Sequence, residues 1–533
     1  MIRALILVLG MLAAAIQATP AGAEPVVLHR GNVAEPDTLD PQKGGTTYEQ
    51  YIARDLFEGL VSLDAAGETI PGIAERWDIS EDGLTYTFHL RENLVWSDGH
   101  PLTADDVVLG FRRAMDPATG TWYANFGYKI LNGYEVNTSA MKPEELGVRA
   151  LDARTVEIRL VAPSLIFVRI CSIPMFMPVP GHVYAIHGDD WVKEGVMVSN
   201  GAYTLASWKP QDSVRLVRNP RFFAAETVRI DEVIYYPTDD DEAALRRFRT
   251  GALDLNTRFP PSKYDWLQAN LPAETRVYST GWISYIAFNL QNPKFADVRV
   301  RRALTLAIDR EAITGKILRT GELPAYTFVP PAVQGFESEG AAFITGVPPE
   351  GRMDEARRLL AEAGYGPDNP LHIVFNHRIG EANRRVSVAI QQMWREAGVE
   401  VELQANEVKI HYNLLREGSF EIADGGWSAS PDAEYFIYLL LSNSTEVNYG
   451  RYSNAEYDRL GLEADRTMDL ERRLSLYQQA EKIALEEVAM IPVYIPVERA
   501  LVQTWVKGFV PNGTATHPTR FMWIERGPEI AQP

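Results

Sequence analysis

The sequence predicts a mixed α/β protein, with an α+β segment early in the chain and an α/β lobe late in it. Three observations lead there. In residues 84–90, apolar Leu84, Tyr86, Phe88 and Leu90 alternate with Thr85, Thr87 and His89, the period of a half-buried strand. Residues 381–397 carry Val386, Ile390 and Met393 as a helical stripe. Gly398 then stops that helix, and Val399, Val401 and Leu403 start a strand, so helix and strand alternate in the second half. The 533 residues amount to about three domains' worth of chain. Hydrophobic content of 46% with 23% charged residues is ordinary for a globular protein, so nothing points to bulk disorder.

The elements follow in chain order. Arg3 precedes an apolar run over 4–16, and Ala21-Gly22-Ala23 precedes Glu24. That is a leader peptide with cleavage expected after Ala23; an N-terminal membrane anchor is the alternative. The run is shorter than the roughly 20 residues a spanning helix needs. No cysteine stands at the cleavage point for lipid attachment, so a free periplasmic protein is expected. Asp98-Gly99 marks a turn. Thr103 is placed to cap a helix carrying Val107, Val108 and Phe111, which Asp116-Pro117 ends. Residues 155–161 read as a strand, and Pro174, Pro178 and Pro180-Gly181 as a loop. Residues 297–318 contain a helix with Leu304, Ile308 and Ile313 on one side. Residues 470–488 form a long charged amphipathic helix. Residues 491–502 are β-branched with prolines at 492 and 496, the pattern of a strand crossing between lobes.

Composition removes several function classes. A net charge of −19 repels phosphate backbones, so nucleic acid is not expected as a partner. The single cysteine, Cys171, allows no internal disulfide and no cysteine cluster for zinc or iron–sulfur. The nine histidines show no HExxH pattern, and no GxGxxG, GxxxxGK[ST] or GxSxG motif occurs. No cofactor and no metal are expected. Exported α/β proteins of this size without catalytic motifs are, by analogy, often ligand-capturing clamshells.

A series of strings carries more than class. Residues 55–60 (DLFEGL), 71–77 (PGIAERW), 87–93 (TFHLREN), 95–99 (VWSDG) and 103–107 (TADDV) come in that order. Residues 199–203 (SNGAY), 297–304 (DVRVRRAL) and 321–326 (GELPAY) follow, then Pro492-Val493-Tyr494 and Leu501-Val502. The series resembles the bacterial oligopeptide-binding proteins of extracellular solute-binding protein family 5, across essentially the whole mature chain. The resemblance implies an α/β two-lobe clamshell of the type II-like periplasmic-binding-protein class, with an extra α+β domain inserted in lobe one. It divides the chain into a leader over 1–23 and a discontinuous lobe one over 24–47, 191–281 and 501–533. The extra domain takes 48–190 and lobe two 282–500. It implies a monomeric capture component of an ABC importer, whose permease and ATPases are separate chains.

The resemblance also implies how a ligand is held. A peptide lies extended between the lobes and exchanges main-chain hydrogen bonds, like an added strand. Its side chains then occupy hydrated pockets that tolerate different sequences. One pairing segment is the stretch 34–37 with Glu35 and Pro36; an ordinary loop is the alternative. The other is 425–429, with Gly426, Trp427, Ser428 and Ala429, where glycines permit close backbone approach or serve a β-bulge. Trp427 is core or pocket wall. Tyr123, Asn256, Trp282 and Tyr285 fall where the resemblance places cleft residues, with core packing an equal reading for the aromatics. Lys316, Asn383 and Arg416 fall at or beside positions that engage a peptide's C-terminal end; for Lys316 a solvated helix face is the favoured reading.

The match breaks at one informative point. Peptide binders of this family carry an Asp shortly after this Trp, which pairs with the ligand's α-ammonium. Here Ser430 stands at that place, and Asp424 stands where oligopeptide binders carry an Arg. Serine cannot neutralise a buried ammonium. Three explanations compete: Asp432 reaches the same point by another loop path; Glu35 or Asp424 takes the ammonium in another register; or the ligand is no ordinary peptide but a murein peptide, an opine or a sugar-like solute. An exported peptide or glycan hydrolase using Asp424, Asp432 and Glu434 is the competing enzyme reading.

Overall fold

The computed structural model describes residues 24–428 and 432–526. Residues 1–23, over which a leader is expected, lie outside the described residues, as do Ala429, Ser430, Pro431 and the last seven residues. Two large sheets organise the rest. A seven-stranded sheet runs in the spatial order Thr275–Ser279, Val497–Val502, Leu255–Asn256, Val27–Gly31, Glu232–Tyr236, Ser213–Arg218 and Tyr203–Lys209. A six-stranded sheet runs Leu323–Pro324, Met490–Ile495, Trp282–Phe288, Ile422–Ser428, Leu371–Arg378 and Val399–Asn406. These are the two lobes of a clamshell. A four-stranded antiparallel sheet of Ala74–Ile79, Thr85–Leu90, Thr155–Arg159 and Val148–Asp152 stands apart from both.

The chain passes between the large sheets at two places. Thr275–Ser279 belongs to the first sheet and Trp282–Phe288 to the second, with only Thr280 and Gly281 between them. Met490–Ile495 belongs to the second sheet and Val497–Val502 to the first, with Pro496 between. Proline has no N–H to give a ladder, so it suits the one residue that belongs to neither sheet. The crossing expected over 491–502 is therefore a pair of strands broken at Pro496.

Local sequence accounts for the elements that carry these sheets. The helix Ala104–Met115 starts at Thr103, whose N–H is accepted by Asp106 Oδ2 at 2.9 Å, and ends at Asp116 before a proline. The helix Thr47–Leu56 starts at Thr46, whose hydroxyl and N–H both meet the Glu49 carboxylate, at 2.7 and 2.9 Å. Glu381–Glu396 buries Val386 and Ile390, and Gly398 follows with φ of 92°. The proline-rich stretch after Ile173 is more structured than a loop: Gly181–His187 forms a short helix.

Packing joins these parts unequally. One apolar core is continuous from the seven-stranded sheet (Leu28, Leu216, Val233) into the four-stranded one (Phe88, Val156) and the helix Ala104–Met115 (Phe111). A separate core fills the second lobe (Ile283, Phe288, Phe375, Trp394). Close-packed cores move as units, so the four-stranded part travels with lobe one. Gly201 shows how tight that junction is: a Cβ there would lie 2.6 Å from the backbone of Leu56 and Phe57. Across the lobes, Tyr435 packs against both cores.

Candidate functional site

Between the lobes lies a cleft of about 390 Å³. The helix Thr47–Leu56 supplies Thr47, Gln50 and, from its last turn, Arg54 to one wall. Tyr123, Phe126, Ile166 and Arg169 extend that wall from the four-stranded part. Thr280, Gly281 and Glu498 come from the crossings, and Trp282, Ser428, Asp432 and Tyr435 from lobe two. Tyr123 is held in place by its hydroxyl, which donates to the Gly45 carbonyl at 2.7 Å. Arg54 donates to the Ser172 carbonyl at 2.8 Å, and Arg169 to the Gly67 carbonyl at 3.0 Å. Burial lowers the pKa of both guanidiniums, Arg54 to about 10. The cleft thus combines aromatic and aliphatic walls with two cations and two carboxylates.

The strand Ile422–Ser428 has an unusual edge. Trp282–Phe288 pairs with it along its full length, from Phe288 opposite Ile422 to Trp282 opposite Ser428. On its other side Leu371–Arg378 pairs only at Ile422 and Ala423. From Gly425 to Ser428 that second edge has no strand partner among the described residues. The ladder to Trp282–Phe288 has no register shift, so the glycines serve no bulge. Gly425 instead makes room for the Tyr285 ring, whose atoms would lie 2.6 Å from a Cβ there. A Cβ on Gly426 would lie 3.4 Å from the Trp282 indole nitrogen.

Of the residues expected from sequence, Tyr123, Trp282, Ser428 and Asp432 meet in this cleft. The others sit elsewhere or are already engaged. The Glu35 carboxylate accepts from Trp208 Nε1 at 2.8 Å and from the Gln211 N–H at 3.2 Å, and Pro36 beside it is buried. Asn256 is buried in the first sheet, donating to the Arg258 carbonyl at 2.6 Å. Tyr285 is buried in the lobe-two core. Trp427 packs against the same core, and its indole N–H has no acceptor among the described residues. Asn383 lines a small hollow inside lobe two with Ser284, Asp424 and Tyr494. Arg416 is exposed on the helix Val408–Glu417 and donates to Asn413.

Lys316 lies in a different interlobe hollow, of about 1190 Å³, with Arg319, Glu322, Arg385 and Arg499. Glu498 lines the first cleft and its neighbour Arg499 the second. Successive side chains on a strand point to opposite faces, so the two hollows lie on opposite sides of the crossing strand.

The carboxylates weighed as ammonium anchors are tied to the protein. Arg378 reaches Asp424 through its N–H and its Nε, both at 3.0 Å, and His411 Nε2 lies 3.1 Å from Asp424 Oδ1. Burial pushes the Asp424 carboxyl up, but His411 and Arg378 outweigh it and hold the group below its usual range. Asp432 caps the helix Ala433–Ile437 by accepting from the Glu434 N–H at 2.9 Å. Arg473, buried beneath it, donates to both Asp432 oxygens at 2.9 and 3.2 Å and to Glu434 at 3.0 Å. Lys129 completes that network with a 2.6 Å contact to Glu434 from the other side of the cleft. Such a paired, capped carboxylate supplies little attraction to a further cation.

Sequence reading missed Thr47, Gln50, Arg54, Arg169 and Glu498. One signal was present: Thr46-x-x-Glu49 is a capping box at the start of the helix whose end runs into the DLFEGL string, and it sets the helix that forms the wall. It also missed a surface cluster. Asp98, His100 and His182 hold ligand-type atoms within 4.8 Å of one another, with His182 Nε2 at 2.7 Å from Asp98 Oδ2. The two imidazoles stack at 4.0 Å. This trio lies outside the cleft and has the donor chemistry for a borderline divalent cation.

Comparisons agree with this geometry. The profile of the bacterial extracellular solute-binding proteins, family 5 (middle region), matches residues 68–448. The Escherichia coli K12 protein named probable deoxycholate-binding periplasmic protein YgiS is 37% identical over 91% of this chain and 90% of its own length. The periplasmic oligopeptide-binding protein OppA of the same organism is 35% identical over 95% of this chain and 94% of its own. The unliganded open form of the murein tripeptide-binding protein MppA superposes with a TM-score of 0.88, at 33% identity, covering 94% of this chain and 98% of that one. A second structure of MppA from Escherichia coli, also 33% identical and covering 95% and 99%, gives 0.74. The higher score belongs to the form named as unliganded and open, and this structure shares that open arrangement. By profile, by sequence and by fold, the chain belongs to the bacterial extracellular solute-binding proteins of family 5.

Proposed function

We propose that this protein is the periplasmic capture component of an ABC importer and that it takes up peptides or peptide-like solutes. The observation that carries the reading is the strand edge from Gly425 to Ser428, which has no strand partner among the described residues and lies beside the interlobe cleft. A peptide in extended form satisfies such an edge with its own backbone, which gives affinity without dictating side chains. The flanking groups suit the rest of a peptide: Arg54 and Arg169 for its carboxylate, and Trp282, Tyr123 and Phe126 for apolar side chains. The names of OppA and MppA point the same way. Hinge closure about Thr280-Gly281 and Pro496 buries the ligand, and the closed lobes present a joint surface to a membrane permease.

This reading keeps the lobe limits expected from sequence, with lobe two ending a few residues earlier, at Pro496. It also keeps the cleaved leader, the monomeric state and the absence of catalysis. A second reading has one specific support. Leu63, Ile166, Ile170 and Ile173 form an aliphatic patch near the two arginines, which suits an amphipathic anion, and the relative YgiS is named for deoxycholate.

Native mass spectrometry of protein released gently from the periplasm separates the two. A ladder of masses fitting short peptides is the expected result. A single mass that no peptide composition explains would remove the peptide reading.

A further inference from the structure

We propose that Glu498 is the counter-charge for the ligand's cationic group, its α-ammonium in a peptide. The inference rests on the peptide reading above and specifies where in the cleft the amine end lies. Glu498 stands on the crossing strand two residues after Pro496, opposite Tyr278 in the ladder. Its side chain lines the cleft beside Thr280, Gly281 and Trp282, where the two lobes hinge.

What singles it out is the state of its carboxylate. Glu35, Asp424 and Asp432 each have strong partners in the protein. The Glu498 carboxylate has no hydrogen bond and no ion pair among the described residues. Two arginines are near enough to influence it, and neither turns to it. Arg499 points to the opposite face of the strand, where Glu322 holds it at 2.7 Å. Arg258 is held by Asp241 at 3.1 Å. Burial raises the proton affinity of Glu498 more than these two lower it, the mark of a carboxylate lacking a counter-ion.

The open arrangement lets water reach this group. Closure removes that water, and a desolvated carboxylate without a cation is strongly disfavoured. The closed state therefore favours a positive charge at this point, and neither Arg499 nor Arg258, the two cations that act on Glu498, turns to supply it. A ligand ammonium supplies it. A ligand whose only charge is negative does not, so the same residue selects against plain anions. This places the amine anchor on the hinge strand of lobe one, whereas the sequence pattern looks for it after Trp427 in lobe two.

The test is isothermal titration of ligand-stripped protein with trialanine and N-acetyl-trialanine, on wild type, Glu498→Gln and Glu498→Asp. Wild type is expected to favour the free amine by about 30-fold or more, the usual loss when one partner of a desolvated charge pair is removed. Glu498→Gln should bind the two peptides within about threefold of each other, the signature of a coupled pair. Glu498→Asp keeps the charge and should retain part of the preference, which guards against a mere folding defect. If wild type binds both peptides equally, or Glu498→Gln keeps the full preference, the amine site is elsewhere while peptide capture stands. If wild type takes deoxycholate and neither peptide, the peptide reading fails and this inference falls with it.

Discussion

Asp432→Asn distinguishes a structural role for this carboxylate from the anchoring role that its sequence position suggests. The substitution keeps the helix cap, because Asn and Asp cap about equally well, so it isolates the charge. Beneath Asp432, the Arg473 side chain is only 2% exposed and donates to both carboxylate oxygens. Removing one member of a fully buried pair costs about 3–5 kcal/mol. Here Glu434 remains at 3.0 Å from Arg473, and Asp432 itself is 20% exposed, so about 2 kcal/mol is expected. Asp432→Ala adds the lost cap and should reach about 3 kcal/mol. The measurement is calorimetric unfolding of ligand-free protein, resolving the lobe-two transition, since a chain of several domains does not melt as one unit. Trialanine affinity is read in parallel and should change far less than for Glu498→Gln. Unaltered melting together with a tenfold or greater loss of peptide affinity would refute the reasoning and restore Asp432 as the anchor.

Two further outcomes follow from the packing. Glu481 is 1% exposed, accepts from the N–H groups of Phe328 and Val329, and leaves Oε2 without a partner among the described residues; burial raises its pKa to about 7. An acid with a raised folded-state pKa contributes stability that is full below its unfolded value near 4.5 and is lost as pH rises through about 7. Wild type should therefore lose about 3 kcal/mol over that window, while Glu481→Gln flattens the profile and is the more stable protein at pH 8; parallel profiles in denaturant titrations would contradict this. Gly201→Ala places a methyl against the backbone of Leu56 and Phe57 and should cost about 1–3 kcal/mol in lobe one, seen as a lowered lobe-one melting transition.

Local features of the structure were legible in the sequence, and pairings between distant segments were not. The strand at Thr85–Leu90, the helix capped by Thr103 and the stop at Gly398 each depend on neighbours a few residues away, and each is where periodicity and capping place it. The break at Pro496 follows from proline's missing donor. The state of a carboxylate is different. Asp432 looks free in sequence because its partner, Arg473, comes 41 residues later. Glu35 looks free because Trp208 is 173 residues away. Glu498 sits in a β-branched strand with no motif around it, and only the fold shows that its neighbour Arg499 faces the other way. Charge pairing is thus settled in three dimensions, and it decides which carboxylate is left for a ligand.

The added four-stranded part has a mechanical consequence for capture. Its core is continuous with lobe one, yet it already touches lobe two in the open arrangement, through Lys129 on Glu434 at 2.6 Å and Phe126 edge-on to Tyr435 at 6.1 Å. Lobe two therefore has two bearings: the paired crossings at Thr280-Gly281 and Pro496, and this lateral contact. A body held at two separated points swings about the line joining them, which restricts closure to few paths. The lateral contact is built on the helix start at Asp432 and Glu434, which Arg473 holds from the helix Leu470–Glu486, so that network's rigidity sets where lobe two lands. A ligand adds affinity only to the extent that it favours the closed state over the open one. On this geometry that difference comes from two groups that closure dehydrates: the open edge at Gly425–Ser428, which a backbone satisfies, and the Glu498 carboxylate, which a cation satisfies. The first is indifferent to side chains and the second to everything except charge, so together they select for the two features common to peptides, a repeating amide and a terminal ammonium.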